Sequence, residues 1–180
     1  LSRQLDERLV GMQRHGRIGF YIGAFGEEAT VFGAVAGMER SDWIFPCYRE
    51  HGAALYRGMP LTVFLCDMLG NSGDLMLGHQ MPCHEAWRPG LYAPISSPIG
   101  TQIPQAVGTA RAMQIRGEKK VAAVWFGDGT TSEGEFWESI NTACNRRLPV
   151  VYVVEDNGYA ISVPVEVNTA GGSISKLLSS

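Results

Sequence analysis

The chain has 180 residues, 45% hydrophobic and 18% charged, the profile of a globular protein large enough to bury one substantial core. A total of 15 Lys and Arg against 18 Asp and Glu leaves a net charge of −3. That balance excludes the basic surface of a nucleic-acid-binding domain, and no like-charge run is present to form a tail or a membrane-surface patch. Apolar runs such as Val121 to Phe126 are too short to span a bilayer.

The sequence opens at Leu1 without the apolar core of a signal peptide. It closes on Ser173-Ile-Ser-Lys-Leu-Leu-Ser-Ser180, which reads as the first turns of a helix. The expectation is a single domain over 1–180 that is one piece of a longer chain. Cys47, Cys66, Cys83 and Cys144 form no C-x-x-C pattern and read as reduced, partly buried thiols, which suits a reducing compartment.

In chain order, Gly26 to Gly37 predicts a helix, with Ala29, Phe32, Gly33, Ala36 and Gly37 on one face. Its two leading glutamates suit the positive end of a helix dipole, and its small residues suit close packing on another backbone. Leu61 to Leu69 reads as a second apolar helix. Gly70 to Ser97 is rich in Gly, Pro, Ser, His and Asn and reads as a long loop, a length usually tied to function. Ile103, Ala106, Val107, Ala110 and Met113 then mark a helix, with Thr101 as its cap and Pro104 in its first turn.

Val121 to Phe126 predicts a strand covered on both faces. The helix after it carries Phe136, Ile140, Ala143 and Cys144 on one side, and Ser132 with Glu135 has capping-box spacing. Leu148 to Val154 predicts a second buried strand. Strand, helix and strand within about 35 residues make a βαβ unit with a parallel sheet and a right-handed crossover. The fold class is therefore α/β, a parallel sheet flanked by helices. Ligands of such sheets sit at the carboxyl ends of the strands, where the polar turns 127–130 and 155–159 fall.

Gly127-Asp128-Gly129 alone is weak evidence, since this composition yields such a triplet in roughly one chain in ten, and Asp128 could serve only as a helix cap. Its context is more telling. Asp128 ends one strand and Asn157 the next, so two hard oxygen ligands fall side by side at a helix N-terminus suited to a diphosphate and Mg²⁺.

Gly127-Asp-Gly129 followed by 27 residues and Asn157 resembles the cofactor motif of thiamine diphosphate-dependent enzymes. Pro46-Cys-Tyr-Arg-Glu50, Gln80-Met-Pro82 with His84, Ser96-Ser-Pro-Ile-Gly-Thr-Gln102, Gly127-Asp-Gly-Thr-Thr-Ser-Glu-Gly-Glu135 and Asn157-Gly-Tyr-Ala-Ile-Ser162 occur in order. Together they resemble the alpha subunits of 2-oxo acid dehydrogenases, the thiamine-dependent first component of those complexes, over nearly the whole chain.

The resemblance implies a thiamine diphosphate-binding fold and an oxidoreductase acting on the oxo group of a 2-oxo acid. Asp128, Asn157 and the Tyr159 carbonyl would ligate Mg²⁺. Gly127, Gly129 and Thr130 would line the diphosphate, which Tyr48 and Arg49 would also reach. Ile99 would press under the cofactor, Ser97 would meet its aminopyrimidine, and His84 would stand at its reacting end. Ser96, Pro98, Thr101 and Gln102 match a potassium site of the branched-chain members. His15, His51 and His79 match nothing and stay unassigned.

A beta subunit, separate or fused, is implied to supply the glutamate that activates the cofactor. Glu27, Glu28 and Glu50 therefore read as dipole or ion-pair partners. A lipoyl-bearing acyltransferase is implied to take the acyl group, in a bacterial cytoplasm or a mitochondrial matrix. Ser96-Ser-Pro98 with Thr101-Gln102 leans towards a branched-chain 2-oxo acid, ahead of pyruvate and then acetoin. Three positions depart from the family pattern: Asp156 replaces an asparagine, Glu155 a frequent arginine, and Cys47 a glutamine. A non-catalytic nucleotide-binding α/β module is the alternative of another class.

Overall fold

The computed structural model describes residues 1–178 and divides the chain into two compact units, Leu1–Ser97 and Pro98 onward. In the first unit, α1 (Ser2–Arg14) turns Leu5, Asp6 and Leu9 inward. The next helix, α2 (Glu28–Ala36), buries Val31 and Val35 and packs on α3 (His51–Tyr56). The small-residue face expected to pack instead looks outward, with Ala29, Gly33, Ala36 and Gly37 exposed. Within this unit the β-branched valines supply more apolar area than the small residues do, and burial follows area.

Between them lies the short strand β1 (Trp43–Phe45), which the sequence reading did not foresee. Its Ile44 is fully buried and exchanges backbone bonds with the segment around Tyr92, from Ile44 N to Leu91 O and from Ala93 N to Ile44 O, both 2.9 Å. After α4 (Leu61–Leu69) the chain reverses at Gly70 in the left-handed region, as a helix C-cap often does. From there to Ser97 it is irregular, as expected, apart from a 3₁₀ turn at Arg88–Gly90. Irregular does not mean loose here. Cys83, His84, Glu85, Tyr92 and Ile95 are all buried, and backbone bonds join Trp87 and Tyr92 in both directions.

In the second unit α5 (Gln102–Ile115) buries the five apolar residues expected of it. Thr101 stands at the N-cap position but in helical geometry (φ −54°, ψ −32°), and its side chain makes no cap bond. A capping hydroxyl needs extended backbone to reach the free amides. Strand β2 (Ala122–Gly127) is buried along nearly its whole length and pairs in parallel with β3 (Val150–Glu155), from Ala122 opposite Val150 to Gly127 opposite Glu155.

The crossover helix α6 (Gly134–Arg146) packs on α5. It starts later than the capping-box spacing implied, because residues 128–132 form a 3₁₀ turn and Glu133 becomes the N-cap. The Ser132 hydroxyl accordingly bonds Asn168 instead. Cys144 faces outward, since the buried stripe runs through Phe136, Ser139 and Ala143. The second strand is also less covered than expected: β3 lies at the end of its sheet and leaves Val151 49% exposed. A hairpin of β4 (Tyr159–Ala160) and β5 (Val163–Pro164) follows, then short helices α7 (Val165–Asn168) and α8 (Ile174–Leu178). All four cysteines are free thiols. Among the described residues no helix is long and apolar enough to cross a membrane.

Candidate cofactor-binding site

The strand pairing of the second unit brings the two halves of the sequence motif together. Because Gly127 pairs with Glu155, the turn that starts at Asp128 and the turn that holds Asn157 leave the same end of the sheet. Asp128 opens the 3₁₀ turn with only 1% of its surface exposed. The backbone there is fixed by the Thr131 hydroxyl, which donates to the Asp128 carbonyl at 2.7 Å, and Thr130 and Thr131 are buried beside it.

In the second turn Asp156 Oδ1 accepts the Gly158 amide at 3.0 Å and Asn157 Oδ1 accepts the Tyr159 amide at 3.1 Å. Two consecutive Asx turns thus set the loop, and Gly158 takes the positive φ of 80° that the reversal requires. Asp156, which departs from the family pattern, retains the turn-forming side-chain oxygen. The loop is close to the first turn as well. An ideal Cβ on Gly129 would stand 2.6 Å from the Cβ of Ala160, so the glycine is what lets the 3₁₀ turn and the hairpin approach.

One carboxylate, one amide oxygen and one backbone carbonyl are a hard-oxygen donor set of the kind Mg²⁺ takes when phosphate and water complete its octahedron. At Gly129 the turn has backbone and no side chain, and Ala160 fills the space a Cβ would take. These features fit a metal-bound diphosphate. Among the described residues no group of three His, Cys, Asp or Glu could by itself hold a metal, so a metal here would need neutral oxygens and a ligand's phosphates beside the Asp128 carboxylate. The sequence reading placed the diphosphate seat at an α-helix N-terminus; the structure places Gly129 and Thr130 in the 3₁₀ turn ahead of α6. Gln102 is buried and donates from Nε2 to the Trp125 carbonyl at 3.0 Å, bracing β2. Thr101 is half-buried, while Pro98, Ile99 and Tyr159 are exposed.

The first unit gathers a second group. His84 is 1% exposed. Its Nδ1 lies 3.1 Å from the Pro82 carbonyl and its Nε2 lies 2.8 Å from the Ser97 hydroxyl. A carbonyl only accepts, so Nδ1 carries a proton, and in the neutral ring Nε2 accepts from Ser97. The Tyr48 ring lies 5.4 Å from the His84 ring, and its hydroxyl donates to the Ser97 carbonyl. Burial, then the neighbouring Cys47, raises the Tyr48 phenol above its usual value.

Arg49 donates to the Gly23 carbonyl and lies 3.7 Å from Glu27, leaving its side chain 45% exposed. Ser96 is half-buried and carries no contact that marks it as a ligand. Sequence reasoning missed two carboxyls of this unit, Asp67 and Glu85, both buried. The signal was there: Asp67 interrupts an otherwise apolar helix, and Glu85 follows His84 directly.

A family model described as dehydrogenase E1 component matches residues 1–178. Proteins named 2-oxoisovalerate dehydrogenase subunit alpha, mitochondrial, are 40% identical over 97% of this chain in Bos taurus and 41% identical over 94% of it in Caenorhabditis elegans and in Dictyostelium discoideum. The chain covers 38–40% of the length of these relatives. A crystal structure of a thiamin diphosphate-dependent enzyme isolated from Mycobacterium smegmatis superposes with a TM-score of 0.50 at 22% identity, covering 85% of this chain and 25% of that one. That likeness speaks to the fold, a parallel sheet with flanking helices. The family model matches nearly end to end, and the relatives match over almost all of this chain: it belongs to the dehydrogenase E1 component family.

Proposed function

We propose that this chain is the alpha subunit of a 2-oxo acid dehydrogenase that decarboxylates a branched-chain 2-oxo acid of the 2-oxoisovalerate type, with thiamine diphosphate and Mg²⁺, and passes the acyl group to lipoamide. The observation that carries this reading is the register of β2 on β3, which sets Asp128 beside the Asn157 turn at one sheet end. The substrate class is supported by the names of relatives 40% identical to the chain.

Bound thiamine diphosphate supplies the carbanion chemistry that a 2-oxo acid needs to lose carbon dioxide. This chain's residues hold and orient it. Asp128, the Asn157 amide oxygen and the Tyr159 carbonyl ligate Mg²⁺, and the Gly129 and Thr130 amides meet diphosphate oxygens. Gly127 keeps the strand end free of a side chain. In the first unit Arg49 offers its guanidinium fork to phosphate, and Tyr48 and Ser97 fix the His84 ring. With Nδ1 committed to Pro82, Nε2 is the atom of His84 that takes or returns a proton. Ile99 provides an apolar support for the cofactor, and Ser96, Pro98, Thr101 and Gln102 are proposed as potassium ligands.

A beta subunit supplies the activating carboxylate and a lipoyl-bearing acyltransferase takes the product. The proposed setting is the mitochondrial matrix or a bacterial cytoplasm. The test is turnover by the full-length chain with its beta partner, thiamine diphosphate, Mg²⁺ and an artificial electron acceptor. Faster turnover of 3-methyl-2-oxobutanoate than of pyruvate is expected. Preference for pyruvate would overturn the substrate class, and turnover of neither would overturn the 2-oxo acid reading in favour of acetoin or a non-catalytic role.

A further inference from the structure

Behind the His84 segment lies a small, partly open cavity, about 10 Å³, lined by Met59, Val63, Asp67, Asp74, Leu75, Met76, Glu85 and Ala86. Such a volume is at the limit of one water molecule. Three of the lining residues are carboxylic acids and none is a cation. Asp74 is fully engaged, accepting the Met76 amide on Oδ1 and the Gly78 amide on Oδ2, both at 2.8 Å. The other two are less so. Asp67 is 5% exposed, and the Cys83 amide is the hydrogen-bond donor that acts on its carboxyl. Glu85 is 2% exposed; its Oε1 accepts the Tyr92 hydroxyl at 3.3 Å, while Oε2 has no partner.

Two buried carboxylates lining one small pocket repel each other when both are ionised, unless a cation or a proton intervenes. The surroundings offer little help. Glu85 feels His51 from α3 and His84 beside it, and the Tyr92 hydroxyl bonds it. Asp67 feels Glu85 and Asp74, with the Cys83 amide contributing least. Among the described residues no cluster of three acidic, His or Cys side chains has the arrangement of a metal site.

We propose that Asp67 and Glu85 hold one proton in this cavity, and that this proton latches the segment carrying His84 onto α4. The carboxyl that keeps the proton donates into the pocket, and the ionised one accepts. Loss of the proton sets two negative charges against each other and pushes the 82–86 segment off the helix. Burial first, then the charges of Glu85 and Asp74, pushes Asp67 up to about 7, and burial raises Glu85 as well. The neighbouring Cys83 thiol, pushed up to about 12, does not titrate in the same range. Asp67 and Glu85 thus act as positioning residues for His84. Their bearing on catalysis rests on the function proposed above, whereas the shared proton does not.

The direct test is carbon-13 carboxyl NMR on the full-length chain, titrated from pH 4 to 9. A buried carboxyl step near pH 7, belonging to the pair, is expected; ionisation of both below about pH 5 would overturn the proposal. Asp67→Asn and Glu85→Gln each remove the need for the proton. Either should melt above the parent by a margin that widens from pH 4.5 to 7, reaching roughly 10 °C for Asp67→Asn, and then levels off. A margin independent of pH, or a rise in parent melting temperature on adding K⁺, Mg²⁺ or Ca²⁺ that Asp67→Asn abolishes, would contradict a proton as the occupant. In the assembled enzyme kcat should fall through an alkaline limb near pH 7 that Asp67→Asn removes. An unchanged limb, alongside the NMR step, would refute only the link to His84.

Discussion

Gly129 shows how one missing side chain ties the turn to the hairpin. Its substitution by alanine would drive a methyl group into Ala160, and overpacking of this kind costs about 1–3 kcal/mol. We expect Gly129→Ala to lower stability by that amount in urea denaturation and to weaken diphosphate binding at least tenfold. Ser97→Ala removes the hydroxyl that bonds His84 Nε2. The ring would then lose its tilt against Tyr48, and kcat should fall about tenfold with little change in KM, measured by steady-state kinetics of the assembled enzyme. Nitrogen-15 shifts of His84 should report a proton on Nδ1 in the parent chain. At this scale much of the site is legible in the sequence, since Asp128, Asn157, His84 and Ser97 sit in short words with fixed spacing. Side-chain partners are not legible in that way. Nothing in the order of residues says that Gln102 braces the Trp125 carbonyl or that Asp67 and Glu85 line one cavity, because both arrangements arise from packing of segments well apart in the chain.

Helix α1 is tied to its unit by a buried carboxylate as well as by Leu5 and Leu9. Asp6 is fully buried and accepts from the Tyr21 hydroxyl at 2.5 Å and from the Ala24 amide at 3.2 Å, with His51 Nε2 at 3.2 Å. Burial alone would raise its ionisation value, but hydrogen bonds from His51 and Tyr21 outweigh burial and hold it below the usual carboxylate range. A depressed carboxyl stabilises the fold above its unfolded value near 3.9 and loses that contribution as pH falls through its folded value. Asp6→Asn should therefore cost about 2–4 kcal/mol at pH 7, measured by denaturant midpoint, and the deficit should shrink below about pH 4. Elements with strong periodicity, such as α4, α5, β2 and α6, are readable in advance. Elements of other kinds escape. The amphipathic α1 mixes charges into both faces, β1 is three residues long, and α3 follows a turn without a cap signal. The expected capping box failed for a local reason, the 3₁₀ turn that precedes α6.

For the whole molecule, family membership and fold rest on nearly the full described length, while the activity extends beyond the two fifths of the relatives' length that this chain spans. The half-exposed β3 and the outward hairpin residues Tyr159, Ile161 and Val163 could not be foreseen from composition, because an apolar residue reads the same whether its cover lies within these residues or beyond them. The central claim is that Asp128 and Asn157 hold a metal-bound diphosphate. Its most direct test is calorimetric titration of thiamine diphosphate into the full-length chain with its beta partner, with and without Mg²⁺, for the parent, Asp128→Ala and Asn157→Ala. The account predicts Mg²⁺-dependent binding in the parent that either substitution weakens at least 100-fold, about 2.7 kcal/mol, and little binding of ADP. Equal binding without Mg²⁺, or binding that survives Asp128→Ala, would contradict it.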